Sequence, residues 1–220
     1  MKELHFKLTP FIIQLASKPI RTKFDLINLL VHTIKFIITT PPVPTSKQQL
    51  IHSNEKLIIY INKMSRIIFC IDEKIFSFQF PFTLKEDSDS YSKLSISYNG
   101  ILIDNLTSSI LISLFDEESI FNGTFNNLNE KISSEILENS WPEFDDDLFC
   151  ELVKILMLFE PGYLRYDHDI QNSNPPMHPE HHIDFYFSSF NTMKIGLSNG
   201  IIESELIDIL NTSTACKYLK

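Results

Sequence analysis

The period of the apolar positions changes several times along this chain, and each change marks an element. From Lys23 to Thr39 the apolar residues recur with helical spacing around much of the circumference, which predicts a largely buried helix. Pro41, Pro42 and Pro44 end it, and residues 40–55 have the proline and polar content of a connector. The clearest strand signal follows at 75–82, where Phe76, Phe78, Phe80 and Phe82 fall on one face and Ser77, Gln79 and Pro81 on the other. Proline donates no ladder bond, so Pro81 puts this strand at a sheet edge or close to its end. Residues 66–71 read as its hairpin partner, turning through Asp72, Glu73 and Lys74. A second alternation, 94–98, leads through the tight-turn pair Asn99-Gly100 into Ile101, Leu102 and Ile103. The polar run 85–90 reads as a loop.

Helical spacing returns at 108–115, at 128–138 and most strongly after Asp145-Asp146-Asp147, acidic residues that suit the positive end of a helix. Leu148, Phe149, Leu152, Ile155, Leu156 and Phe159 form the apolar stripe of that last helix, Trp141 is expected to pack on it, and Pro161-Gly162 ends it. The acidic run 143–147 reads as a helix start rather than a metal site. The final third reads as strand 163–168, loop 171–179, a hairpin of 182–188 with 193–197, and a closing helix 201–210. Strands and helices mixed without regular βαβ alternation predict an α+β fold: a single domain of mainly antiparallel sheet flanked by helices. Its segments are helical (1–55), β-rich (56–105), helical (106–160) and strand-hairpin-helix (161–220).

Composition narrows the function classes. At 43% apolar and 21% charged residues the chain is an ordinary globular protein. Only 5 glycines occur, with neither GxGxxG nor GxxxxGK[ST], which weighs against phosphate-cradling nucleotide sites. The net charge of −9 is uneven: residues 1–40 carry six Lys or Arg against Glu3 and Asp25, so the acidic remainder disfavours broad phosphate-backbone binding. The basic amino-terminal segment leaves nucleic acid or an acidic partner open, beside the plainer reading of a solvated helix face. Cys70, Cys150 and Cys216 are widely spaced and odd in number, as reduced thiols are. The amino terminus does not read as a signal peptide, and the longest oily stretch, 26–38, is interrupted and shorter than a bilayer span. The expectation is a cytoplasmic protein with no membrane partner.

Candidate chemistry is concentrated near the carboxyl end. Four of the seven histidines lie between 168 and 182, beside Asp167, Asp169, Glu180 and Asp184. Alternation should turn Ile183, Phe185 and Phe187, with Met193, Ile195 and Leu197, towards the core. If Leu164 and Tyr166 are also buried, one sheet face displays Arg165, Asp167, His182, Asp184, Tyr186 and Lys194. Such a face suits proton transfer, phosphate binding or a metal. His182 and Asp184 are a workable ligand pair for a divalent metal, and His178 or His181 from the preceding loop would supply a third ligand. The same pattern also describes the wet face of an antiparallel sheet, with pairs such as Asp184 and Lys194 across strands. GxSxG, HExxH and the deaminase pattern are all absent.

The strings Arg165-Tyr166-Asp167 and His178-Pro179-Glu180-His181-His182, with Lys194-Ile195-Gly196-Leu197 after them, resemble a pattern in small uncharacterised bacterial proteins. These accompany larger nucleases, helicases or ATPases in mobile islands and anti-phage operons. The resemblance covers about the last 60 residues; it implies a cellular context and names no reaction. Two readings follow. One is a non-catalytic accessory subunit that binds a larger protein. The other is a small metal-dependent hydrolase, a nuclease or phosphoesterase, in which Asp167, His182 and Asp184 hold a divalent ion or act as acid and base, with Arg165 or Lys194 on phosphate.

Overall fold

A computed structural model describes residues 2–44, 54–61, 64–87, 90–116, 125–138, 146–190 and 192–218. The fold is α+β, and both of its sheets are antiparallel. Two compact units are each assembled from separate stretches of chain: Met1–Lys18, Pro42–Phe80 and Pro161–Lys220 in the first, Pro19–Pro41 and Pro81–Glu160 in the second. Every passage between them falls at a proline: Pro19, Pro41-Pro42, Pro81 and Pro161. A residue with no N–H and a fixed φ interrupts whatever ladder or helix precedes it.

The first unit holds strands β1 (Lys2–Lys7), β2 (Glu55–Ile61), β3 (Arg66–Ile71), β4 (Lys74–Gln79), β8 (Leu164–His168), β9 (His181–Phe185) and β10 (Met193–Gly196). They hydrogen-bond in the order β1-β2-β3-β4-β8-β9-β10. Helix α1 (Pro10–Ser17) packs on β3, and α6 (Glu203–Leu210) buries Leu206 against Leu164, Tyr166 and Ile183. The expected helical segment 1–55 instead opens with a strand, in which Leu4 and Phe6 share one face and are both buried. Strand β4 is internal, between β3 and β8, and stops before Pro81; Phe76, Phe78, Phe80 and Phe82 are all buried. Phe69 and Phe76 stack across the β3–β4 ladder with ring centroids 4.8 Å apart.

The second unit holds β5 (Thr83–Asp87), β6 (Ser90–Tyr98) and β7 (Ile101–Ile103), with α2 (Lys23–Thr39), α3 (Asn105–Phe115), α4 (Phe125–Glu138) and α5 (Asp146–Leu158). Helix α2 has the predicted bounds, because Thr22 and Asp25 form a capping box at its start. Its Leu26, Leu30, Ile34 and Ile37, and also Ile27 and Val31, are buried, as befits a central helix. Asn99 and Gly100 both take positive φ, 46° and 88°, the conformation that closes a two-residue hairpin. The polar run 85–90 differs from expectation: its first residues form β5, because β6 supplies the ladder and Leu84 anchors the strand in the core. Trp141 and residues 143–145 lie outside the described residues.

Candidate functional site

Register decides what meets at the site. One row of directly paired residues crosses the first unit's sheet as Phe6, Leu57, Phe69, Phe76, Arg165, Asp184 and Lys194. The neighbouring row on the same face runs Lys74, Asp167, His182 and Gly196. Half of this face is thus aromatic and aliphatic, and the other half is charged. Leu164 and Tyr166 are buried on the reverse side, which is the arrangement that brings Arg165, Asp167, His182, Asp184 and Lys194 together.

These five side chains form one network. Arg165 Nε donates to Asp167 Oδ2 at 2.7 Å and Nη2 donates to Asp184 Oδ2 at 2.6 Å, while Nη2 also pairs ionically with Asp167 Oδ2 at 2.6 Å. Lys194 Nζ donates to the other oxygen, Asp184 Oδ1, at 2.7 Å and to His182 Nε2 at 3.1 Å. The second ring nitrogen, His182 Nδ1, lies 2.8 Å from the Pro179 carbonyl, which can only accept. The hydrogen-bond pattern therefore assigns the Nδ1–H tautomer, leaving Nε2 to accept from the lysine. Asp184 has a cation on each oxygen and, like His182, is only 1% exposed. This is not the solvated sheet face that alternation also allowed.

Cover comes from the loop before β9. Pro179 packs so closely over Gly196 that a Cβ there would lie 2.6 Å from the proline Cγ. The His178 ring meets the His182 ring edge-on at 4.7 Å, while its Nε2 bonds Asp169 at 3.2 Å. Of the expected metal set His178, His182 and Asp184, then, the structure brings His182 and Asp184 together with Asp167 instead. Their ligand atoms lie within 4.8 Å of one another, and His178 holds the loop down. Tyr186 leaves the face altogether: β9 ends at Phe185, and Tyr186 takes φ 67° and is half exposed. Met193 points to solvent rather than to the core, since β10 ends the sheet.

Two further residues lie on this face, and of these only Lys74 was beyond the reach of the sequence. Lys74 joins the face through its pairing with Asp167; burial, then the nearby Arg165, pushes its amine down to about 8. Tyr163 shares the β8 face with Arg165, and burial pushes its hydroxyl up to about 12 against the pull of that guanidinium. Arg165 itself is disfavoured by burial, but Tyr163 and the carboxylates of Asp167 and Asp184 outweigh this and hold its charge more firmly than usual. Alternation over 163–168 places Tyr163, just before β8, with Arg165 and Asp167, whereas Lys74 required the strand register.

Chemically the group is a buried network whose carboxylates are already occupied by the protein's own cations. A divalent ion held by Asp167, His182 and Asp184 would have to displace Lys194, whose ammonium sits within hydrogen-bond distance of two of the three donors. The donor chemistry fits a metal; an amine already sits against two of the three donors. No family model, curated protein or solved structure matches this chain. No helix among the described residues is long and apolar enough to cross a membrane.

Proposed function

We propose that this chain is a non-catalytic interaction subunit that docks a larger protein through its β9–β10 hairpin, in a cytoplasmic bacterial assembly of the anti-phage kind that the Arg-Tyr-Asp and His-Pro resemblance suggests. The observation that carries this reading is the hairpin surface. Tyr186 and Phe190, in the β9–β10 connection, and Met193, the first residue of β10, are 50%, 89% and 64% exposed. Large apolar and aromatic side chains exposed within a short stretch of chain are usual anchors of protein interfaces. Tyr186 is held outward in the left-handed region, stacked on Phe187 at 4.7 Å, a conformation that costs a non-glycine residue about 1–3 kcal/mol and is retained mainly where function uses it. Behind the hairpin, the charged network gives it a stiff base: Lys194 of β10 is tied to Asp184 and His182 of β9.

A second reading, a metal-dependent nuclease or phosphoesterase, is favoured by the convergence of Asp167, His182 and Asp184. It requires Lys194 to swing off Asp184 and onto a substrate phosphate. Purification of the tagged full chain from its native host separates the two. The interaction reading expects a stoichiometric protein partner that Phe190→Ser with Met193→Ser removes and Asp167→Asn retains. Absence of any partner, together with phosphodiester hydrolysis that Asp167→Asn abolishes, would replace it with the second.

A further inference from the structure

The reverse side of β8 and β9 carries a second group of histidines. His168 and His181 are directly paired at the end of the β8–β9 ladder, and their rings stack with centroids 4.4 Å apart. Each imidazole is held from behind through Nδ1: His168 by Glu73 Oε2 at 2.9 Å, and His181 by the Tyr166 hydroxyl at 2.9 Å. Both Nε2 atoms are thereby turned towards one carboxylate oxygen, Glu180 Oε1, at 3.0 Å from His168 and 3.8 Å from His181.

We infer that His168, His181 and Glu180 form a binding site for one divalent transition-metal ion of the zinc type, with Glu73 and Tyr166 as positioning residues. Zinc bonds to nitrogen and oxygen are about 2.0–2.2 Å long, so tetrahedral ligands stand about 3.3 Å apart. The two separations from Glu180 Oε1 lie on either side of that spacing. A histidine that gives one nitrogen to a metal almost always donates the other to a carboxylate, hydroxyl or carbonyl, which fixes its tautomer and direction. Both histidines here already have that second partner. Backbone bonds steady the frame: His168 N–H donates to the Glu73 carbonyl (2.9 Å), and Asp169 N–H donates to the Glu180 carbonyl (2.8 Å). Gly200 closes in beside the His181 ring, where a Cβ would lie 3.1 Å from both His181 Cε1 and the Tyr166 oxygen.

The site differs from the charged face in the two respects that matter for metal uptake. Among the described residues no lysine or arginine is a hydrogen-bond partner of its three ligands, so an entering cation displaces no protein cation there. Its side chains are also open to water, at 26%, 22% and 49% exposure for His168, His181 and Glu180, which leaves an entry path and a fourth position. Binding splays the two rings, now 24° from parallel, so that both lone pairs meet one ion. The ion would tie the β3–β4 turn, through Glu73, to the ends of β8 and β9. The inference is independent of the interaction reading, because it uses none of the five side chains of the charged face and none of the exposed Tyr186, Phe190 and Met193.

Isothermal titration of the chelator-stripped full chain with zinc chloride tests it. The expected result is one zinc per chain, with a melting temperature raised by zinc. His168→Ala and His181→Ala should abolish both effects, Glu73→Gln and Tyr166→Phe should weaken affinity by about 10–100-fold, and His182→Asn should leave it unchanged. His168 and His181 are partly exposed, and retained far-ultraviolet dichroism in their variants separates loss of a ligand from loss of fold. No uptake by the wild-type chain at zinc up to about 1 mM, well above the range of built sites, would overturn the inference. So would uptake that depends on His182 and not on His168.

Discussion

Asp184 is the residue on which the charged face depends, and Asp184→Asn measures how much. The substitution keeps shape and volume but removes the charge that Arg165 and Lys194 share at 2.6 Å and 2.7 Å. Removing one partner from a buried ion pair costs about 3–5 kcal/mol, because the remaining charge is left uncompensated. Both cations keep some contact with water, their side chains being 22% and 27% exposed, so the lower end of that range, about 3 kcal/mol, is expected. For a chain of this length each kcal/mol lowers the melting temperature by about 2–4 °C, giving a fall of about 6–12 °C. Lys194→Met should cost far less, about 1 kcal/mol, because Arg165 still pairs with the other carboxylate oxygen. The double variant should cost less than the two singles together, with a coupling of about 0.5–3 kcal/mol. Urea unfolding followed by circular dichroism reads all three. A loss below about 1 kcal/mol for Asp184→Asn, the range of an exposed pair, would show that Asp184 does not anchor the two cations as a buried charge.

Two further outcomes follow from the same geometry. Burial holds the folded-state Lys74 amine near about 8, below its ordinary value of 10.5, so between those values the unfolded chain binds more protons and stability rises with pH. Below that window both states are charged and the folded one bears the full penalty; denaturation midpoints should therefore climb from neutral to alkaline pH in the wild type relative to Lys74→Met, and parallel curves would contradict the assignment. Gly196→Ala forces a Cβ against Pro179 and should destabilise by about 1–3 kcal/mol while lifting the loop from His182, measurable as faster hydrogen exchange at 178–182; unchanged exchange there would show that the loop does not depend on this contact.

Much of the fold was legible wherever local signals agreed with one another. Helix α2 had a cap, a period and a proline stop, and its bounds were readable to the residue. Strands β3 and β4 and the Asn99-Gly100 turn were equally plain. Strand β2 was not: Leu57, Ile58, Ile59 and Tyr60 are buried on both faces, so they carry no alternation. Strand β5 was hidden because Lys85 and Glu86 become strand only through their pairing with β6. At the candidate site, period two placed Arg165, Asp167, His182, Asp184 and Lys194, along with Tyr186, on one face on the condition that Leu164 and Tyr166 are buried, which they are. The burial of the charged face itself could not be read in the same way, since it depends on the fold of the loop over Gly196. The pairing of His168 with His181 was likewise out of reach without the register of β8 on β9.

The ammonium of Lys194, and not a divalent ion, holds Asp184 and His182 on the charged face. Crystals soaked in manganese, with anomalous diffraction measured, test it most directly. The account predicts no anomalous peak among those three residues and Lys194 Nζ within hydrogen-bond distance of Asp184 Oδ1. A peak at that position, with Lys194 turned away from the carboxylate, would contradict it and make the face a hydrolytic metal centre.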